Sequence, residues 1–563
     1  MPLPSLTRKT EEHPLIATEN TKKLFQAVYL EQNKPEDKDD TPKIKVSSII
    51  SKMSFYYEKI RNSVDYKEEH LLRKNAILRI LKRQILIQGA IYEFKSVEIS
   101  KQLLVELIRA GYLPNNSLLE TKFEEIGLVI DKYIKLRKHA LLKLKSDHKF
   151  NIGKGAKNYQ DLKNDLSQWI IALAACDIEE RLGRSGVTQM VISNMFEILN
   201  SLVTLPADSP FAKDKEIQLY VSIHRSLLKF DRDMVSFIVF KFFNGNWAEA
   251  REEEIKIIGT NILVLRQAIV DQIDHPLEAK INIIVSKYAL FYSILTGVIS
   301  DDPVSVYDGF KNDPKAFPRQ IKKECVDRYK KVKKKLWRAG IRSIIYIFLT
   351  KSVFAVILEI PASTFLGEVI NPVSLAINII FPAALLFVVI LFTKMPGDAN
   401  TAKIVEGVNE LVFVDKQRKD PINLRQPVKR KRLMNTIFGI IYAFMFFLSL
   451  YFIVRTLSSV NFTWVSIVIF LFFLAFVSFF SFRIRKSVKE MIIVEPKENF
   501  FTLIMDFFYT PIVGVGKWMS EKFSRINVFV FILDFIIEAP FKIFVEVAEE
   551  WTKYVKERKE EIV

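Results

Sequence analysis

The chain has 563 residues, of which 49% are hydrophobic and 26% charged, with a formal net charge of +18 and 45 Phe. No single solvent suits that mixture, which excludes a wholly soluble protein, a disordered chain and a small disulfide-stapled domain. Thirty of the 45 Phe lie in residues 340–563, so a polar front precedes an apolar back.

Residues 1–45 are charged, carry five Pro and contain no apolar run of signal-peptide length, so they are expected to form a flexible arm that stays in the cytosol. From Val46 the pattern turns helical. Val46, Ile50, Met53, Tyr57, Ile60 and Val64 recur in steps of three and four, the spacing of one helix face or a short coiled-coil seam. Further helices are expected at 71–92, 96–110, 118–144, 161–182, 188–202, 217–243, 249–272 and 277–299. Turn signals such as GYLPNN (111–116) and LPADSP (205–210) separate them. Residues 46–340 therefore read as a cytosolic all-α bundle, with a subdivision near 150–160.

Little in this half points to chemistry. Cys176 and Cys325 are too far apart for a thiolate metal module or a CxxC redox pair. NIGKGAKN (151–158) and GVGKW (514–518) lack the spacing and the hydroxyl of a phosphate-binding loop. Asp271, Asp274, His275 and Glu278 share a helical face and would need His224 and Asp231 from a second helix to hold a metal. Pro276 interrupts that face, which reads as solvated. No catalytic residue, cofactor or metal is assigned.

Four stretches, 344–360, 373–392, 436–454 and 464–482, are long and apolar enough to cross a bilayer. Basic residues outnumber acidic ones by eight in 322–342, by five in the loop 393–434 and by three in 483–497, whereas the other two connections are nearly uncharged. By the positive-inside rule, residues 341–484 form two transmembrane hairpins with both termini cytoplasmic. These three segments account for most of the net charge, so nucleic acid is not expected as a partner.

Charge inside a span is costly and therefore informative. Lys351 sits close enough to the cytoplasmic edge to snorkel outward, with Ser478 at a depth it can reach. Glu359 and Asn378 lie about 22 and 21 Å from the same edge, level with each other if the first hairpin pairs. Pro382 lacks the amide that would bond the Asn378 carbonyl. Glu359, Asn378 and that carbonyl form a candidate site for a cation or proton. The alternative puts Glu359 at the outer headgroups and makes Pro382 a simple kink.

In the tail, 485–563, two apolar stretches follow at 500–515 and 526–547. Asp534, Glu538, Lys542 and Glu546 form a polar stripe on the second, as expected of amphipathic helices lying in the membrane interface.

IRSIIYIFLTK (341–351) and KFSRINVFVFILDFIIEAPFK (522–542) resemble segments of a family of predicted multi-pass membrane proteins from small-genome uncultured bacteria. The resemblance runs from about Asp271 onward. It implies a bacterial plasma-membrane location and no particular activity. The expected protein is an all-α scaffold or interaction protein, a cytosolic bundle on a four-span anchor whose partners are the bilayer and cytosolic proteins. The alternative is a channel or small-solute transporter using Glu359, Asn378 and Pro382.

Overall fold

The computed structural model describes residues 16–33, 42–62, 68–87, 95–150, 159–183, 185–206, 208–313, 315–424, 432–494 and 500–525, with a few positions between 544 and 559. Among the described residues the chain is almost wholly helical. Its strands are a two-residue parallel pair, β1 (Val203–Thr204) and β2 (Ile422–Asn423), with Val203 opposite Ile422.

Two compact units emerge, one comprising Gln26–Ala289 with Lys419–Gln426 and Val528–Val563, the other Met1–Phe25, Leu290–Arg418 and Pro427–Asn527. The boundary at 289 lies well before the composition change near 340.

Helix α1 (Glu19–Gln32) forms inside the segment expected to be a flexible arm. Leu24, Phe25 and Val28 are spaced for one helix face and are buried, which gives that stretch a reason to fold. The first unit continues through α2 (Ser48–Asn62), α3 (Glu69–Lys82), α4 (Ser96–Arg109), α5 (Lys122–Phe150), α6 (Tyr159–Leu182) and α7 (Gly186–Leu202). It closes with α8 (Lys215–Leu227), α9 (Arg232–Phe243), α10 (Glu252–Thr260) and α11 (Ile262–Ile273). Helix α6 is the central element, because every residue from Leu173 to Glu179 is buried. Helix α5 packs between α4, α6 and α10.

Two of the expected long helices are broken. Residues 217–243 split where Lys229 takes a positive φ and the Asp231 side chain accepts from the Met234 amide to start α9. Residues 249–272 split at Asn261, between α10 and α11. NIGKGAKN lies outside the described residues.

Helix α12 (Glu278–Asp301) crosses the boundary. The second unit then holds α13 (Pro303–Asn312) and α14 (Ala316–Phe354). A π-helical turn at Ala355–Glu359 leads into α15 (Ile360–Phe365), followed by α16 (Pro372–Leu391) and α17 (Asp398–Val412). It ends with α18 (Arg432–Ser459), α19 (Trp464–Ile484), α20 (Lys486–Lys489) and α21 (Phe500–Arg525). In this unit the rings of Phe310, Phe317 and Phe413 stack edge to face with centroids 5.0–5.7 Å apart. The Thr18 amide donates to the Val412 carbonyl at 2.8 Å and ties residues 16–18 to the end of α17.

Among the described residues five helices are long and apolar enough to cross a membrane: Glu278–Asp301, Ala316–Phe365, Pro372–Leu391, Leu433–Ser459 and Trp464–Lys489. The first of them was expected only as a bundle helix. It is also the most enclosed, with 56% of its apolar window buried in protein against 6% for Leu433–Ser459.

Helix α21, in the stretch expected as an interfacial tail, packs against other helices of this unit. It runs antiparallel beside α19, with Tyr509 Oη donating to the Ser478 carbonyl at 3.1 Å and Gly516 set against the backbone of Ala475. A Cβ at Gly516 would collide with the Ala475 carbonyl oxygen, so glycine is what permits this approach. The polar stripe at Asp534, Glu538, Lys542 and Glu546 lies outside the described residues.

Candidate functional site

The polar residues singled out within the apolar helices come together in one buried cluster. Lys351 is on α14, Glu359 closes the π-helical turn, and Asn378 is on α16; all three are fully buried. Lys351 Nζ lies 3.5 Å from Glu359 Oε2 and 4.5 Å from the centre of the Phe473 ring on α19. Asn378 Nδ2 donates to Glu359 Oε1 at 2.5 Å, and its second hydrogen reaches toward the Ser466 carbonyl at 3.3 Å.

The π-helical turn explains how Lys351 and Glu359 share a face. Eight residues along an ideal α-helix leave two side chains about 80° apart around the axis. One extra residue in a widened turn takes up about 100°, so Glu359 falls within about 20° of Lys351. The turn ends two residues before Pro361, whose ring would clash with a carbonyl in a regular helix and which has no amide to donate. The Ile360 amide bonds the carbonyl of Ala355, five residues back, instead of that of Val356.

Lys351 therefore does not reach outward toward Ser478. That residue's carbonyl is taken by Tyr509 on α21. Glu359 and Asn378, placed level by rise per residue, are hydrogen-bonded. Pro382 is buried one turn beyond Asn378, and α16 runs through it as one helix.

Three hydroxyl residues that the sequence reading passed over complete the cluster. Ser466 Oγ donates to Glu359 Oε1 at 2.7 Å, and Thr463 Oγ1 donates to Ser466 Oγ at 3.0 Å. Ser363 and Thr463 hydroxyls lie 3.2 Å apart. Thr463 is the N-cap of α19, accepting from the Ser466 amide at 3.1 Å. Because its own proton is committed to Ser466, Ser363 must be the donor in their pair. Three hydroxyls thus point one after another toward a single carboxylate oxygen. Isolated Ser and Thr in an apolar run carry no distinctive spacing, since such hydroxyls ordinarily bond their own helix.

The second group of candidates disperses. Asp274 pairs with Arg232 at 2.8 Å, His275 Nε2 lies 3.4 Å from Asp214, and Glu278 meets Arg225. Asp231 takes the ammonium of Lys74 at 2.8 Å. His224 is buried among Tyr220 and Phe230, its Nδ1 bonded to the Tyr220 carbonyl at 2.8 Å, and burial pushes its pKa down to about 4. Among the described residues, no group of three or more His, Cys, Asp and Glu is placed to hold a metal.

No family model matches the chain, and no curated protein or solved structure matches it. The functional reading therefore stands on the geometry above.

Proposed function

We propose that the protein is an integral protein of a bacterial plasma membrane, with four spans in two hairpins, both termini on the cytoplasmic side, and a cytosolic helical body presented to protein partners. The four spans are the apolar parts of α14 to α15, α16, α18 and α19. Helix α12 is left out because most of its apolar window is already covered by protein. The three basic segments beside the spans support the orientation.

The observation that favours an anchor over a conduit is the place of Lys351. The position beside Glu359 that a transported cation would occupy is filled by an ammonium of the same chain, at 3.5 Å. Asn378 and Ser466 fill the other carboxylate oxygen. The first hairpin is thus internally neutralised and packed, which lowers the cost of its charges inside a bilayer.

Flux through proteoliposomes holding the full chain tests the choice. The anchor predicts no steady movement of potassium, sodium or protons above that of empty vesicles. Flux that disappears in Glu359→Gln would establish the conduit in its place.

A further inference from the structure

Besides Lys351, Glu359 has two hydrogen-bond donors, Asn378 and Ser466, and Ser466 is the last of a line of hydroxyls. From Ser363 through Thr463 and Ser466 the separations are 3.2, 3.0 and 2.7 Å, and each hydroxyl donates toward the carboxylate. All three residues are buried. Exposed residues adjoin the far end of the line along the chain. Ser363 neighbours the exposed Thr364, Thr463 neighbours the exposed Trp464, and Asn461 is exposed beside them. Glu368 stands at that end, its amide donating to the Ser363 carbonyl at 2.9 Å and its Oε1 accepting from the Trp464 amide at 3.2 Å.

We propose that Glu359 is a proton-binding site loaded from the face of the α15–α16 and α18–α19 connections through the Ser363, Thr463 and Ser466 hydroxyls. A hydronium ion at that face gives a proton to the Ser363 oxygen and becomes water. The proton Ser363 already held passes to Thr463, that of Thr463 to Ser466, and that of Ser466 to Glu359 Oε1. One O–H bond forms for each that breaks, and nothing is oxidised or reduced. The carboxylate becomes a carboxylic acid, and the pair with Lys351 changes from neutral to a net single positive charge. Among the described residues Lys351 is the other charged group against Glu359. The packed elements contribute Asn378 from α16 and Ser466 and Phe473 from α19, none of which titrates in this range. A line that ends at an ammonium serves one side only, so it loads and unloads a proton without carrying it across.

This inference rests on the four-span reading. Infrared difference spectroscopy of the full chain in liposomes, after an acid step on the face that carries Ser458, tests it. A carbonyl band of a protonated carboxyl is expected in the wild type and absent in Glu359→Gln. Ser466→Ala should delay the band about tenfold without changing its final amplitude, and Ser478→Ala should leave both unaltered. A band that survives Glu359→Gln, or a Ser466→Ala protein that loads at the wild-type rate, overturns the proposal. Should Glu359→Gln fail to fold, the double variant Lys351→Met with Glu359→Gln removes both charges and serves in its place. Cysteine labelling at Ser458 and Lys419 reads the topology separately. A correct labelling pattern with no band refutes the relay alone, and a reversed pattern refutes the topology.

Discussion

Lys351 and Glu359 lie eight residues apart in one stretch of chain and face each other at 3.5 Å, both fully buried, because a π-helical turn rotates the second onto the face of the first. A buried pair of this kind costs more when halved than when removed. Lys351→Met leaves an acid in an apolar bundle and should destabilise the protein by about 3–5 kcal/mol. Adding Glu359→Gln should recover most of that loss. Denaturation of the full chain in detergent, taken as a double-mutant cycle, reads the coupling; additive effects would mean that the two groups do not interact.

Asn378 is the donor that fixes the carboxylate from the neighbouring helix. Asn378→Leu should cost about 1–3 kcal/mol, since Glu359 Oε1 loses one of its two donors in a dry site. Denaturation of the full chain in detergent measures that loss, and an unchanged midpoint would mean that Asn378 does not hold the carboxylate.

Close helix approach is the other feature open to a single change. Gly516→Leu forces α21 away from Ala475 on α19, and about 1–3 kcal/mol of destabilisation is expected from overpacking. Gly439→Leu, where nothing lies within 4 Å of the added Cβ, should be tolerated and serves as the comparison. Equal effects from both would show that α21 does not pack on α19.

The helical unit that holds His224 should lose stability in mild acid through that residue. Its pKa in the folded protein is about 4, below the ordinary value of 6.5, so the unfolded chain binds the proton first. The stability present above about pH 6.5 is then lost as pH falls toward 4, by about 3 kcal/mol in all. His224→Phe should flatten that slope in urea titrations across this range. A slope unchanged by the substitution would mean that the histidine titrates normally.

The helices themselves were legible because apolar residues at three- and four-residue spacing announce them, and the four apolar runs announced themselves by length. Rise per residue was enough to set Glu359 level with Asn378, since depth in a helix is simple arithmetic. Rotation was not, because a π-helical turn has no clear sequence mark beyond the Pro361 that follows it. For that reason spacing alone sends Lys351 outward, whereas the side chain turns toward Glu359. Ser363, Thr463 and Ser466 were invisible for a different reason: three hydroxyls from two separate chain segments gain meaning only when the helices bring them into line. The burial of α1 depended on a hydrophobic face too short to stand out among the prolines and charges around it.

The claim on which the rest depends is the orientation of the hairpins, and cysteine accessibility in intact cells measures it directly. With the native cysteines replaced, Ser458→Cys should react with a membrane-impermeant maleimide added outside, whereas Lys419→Cys should react only after the cells are opened. Labelling of Lys419→Cys from outside with Ser458→Cys protected would contradict the account.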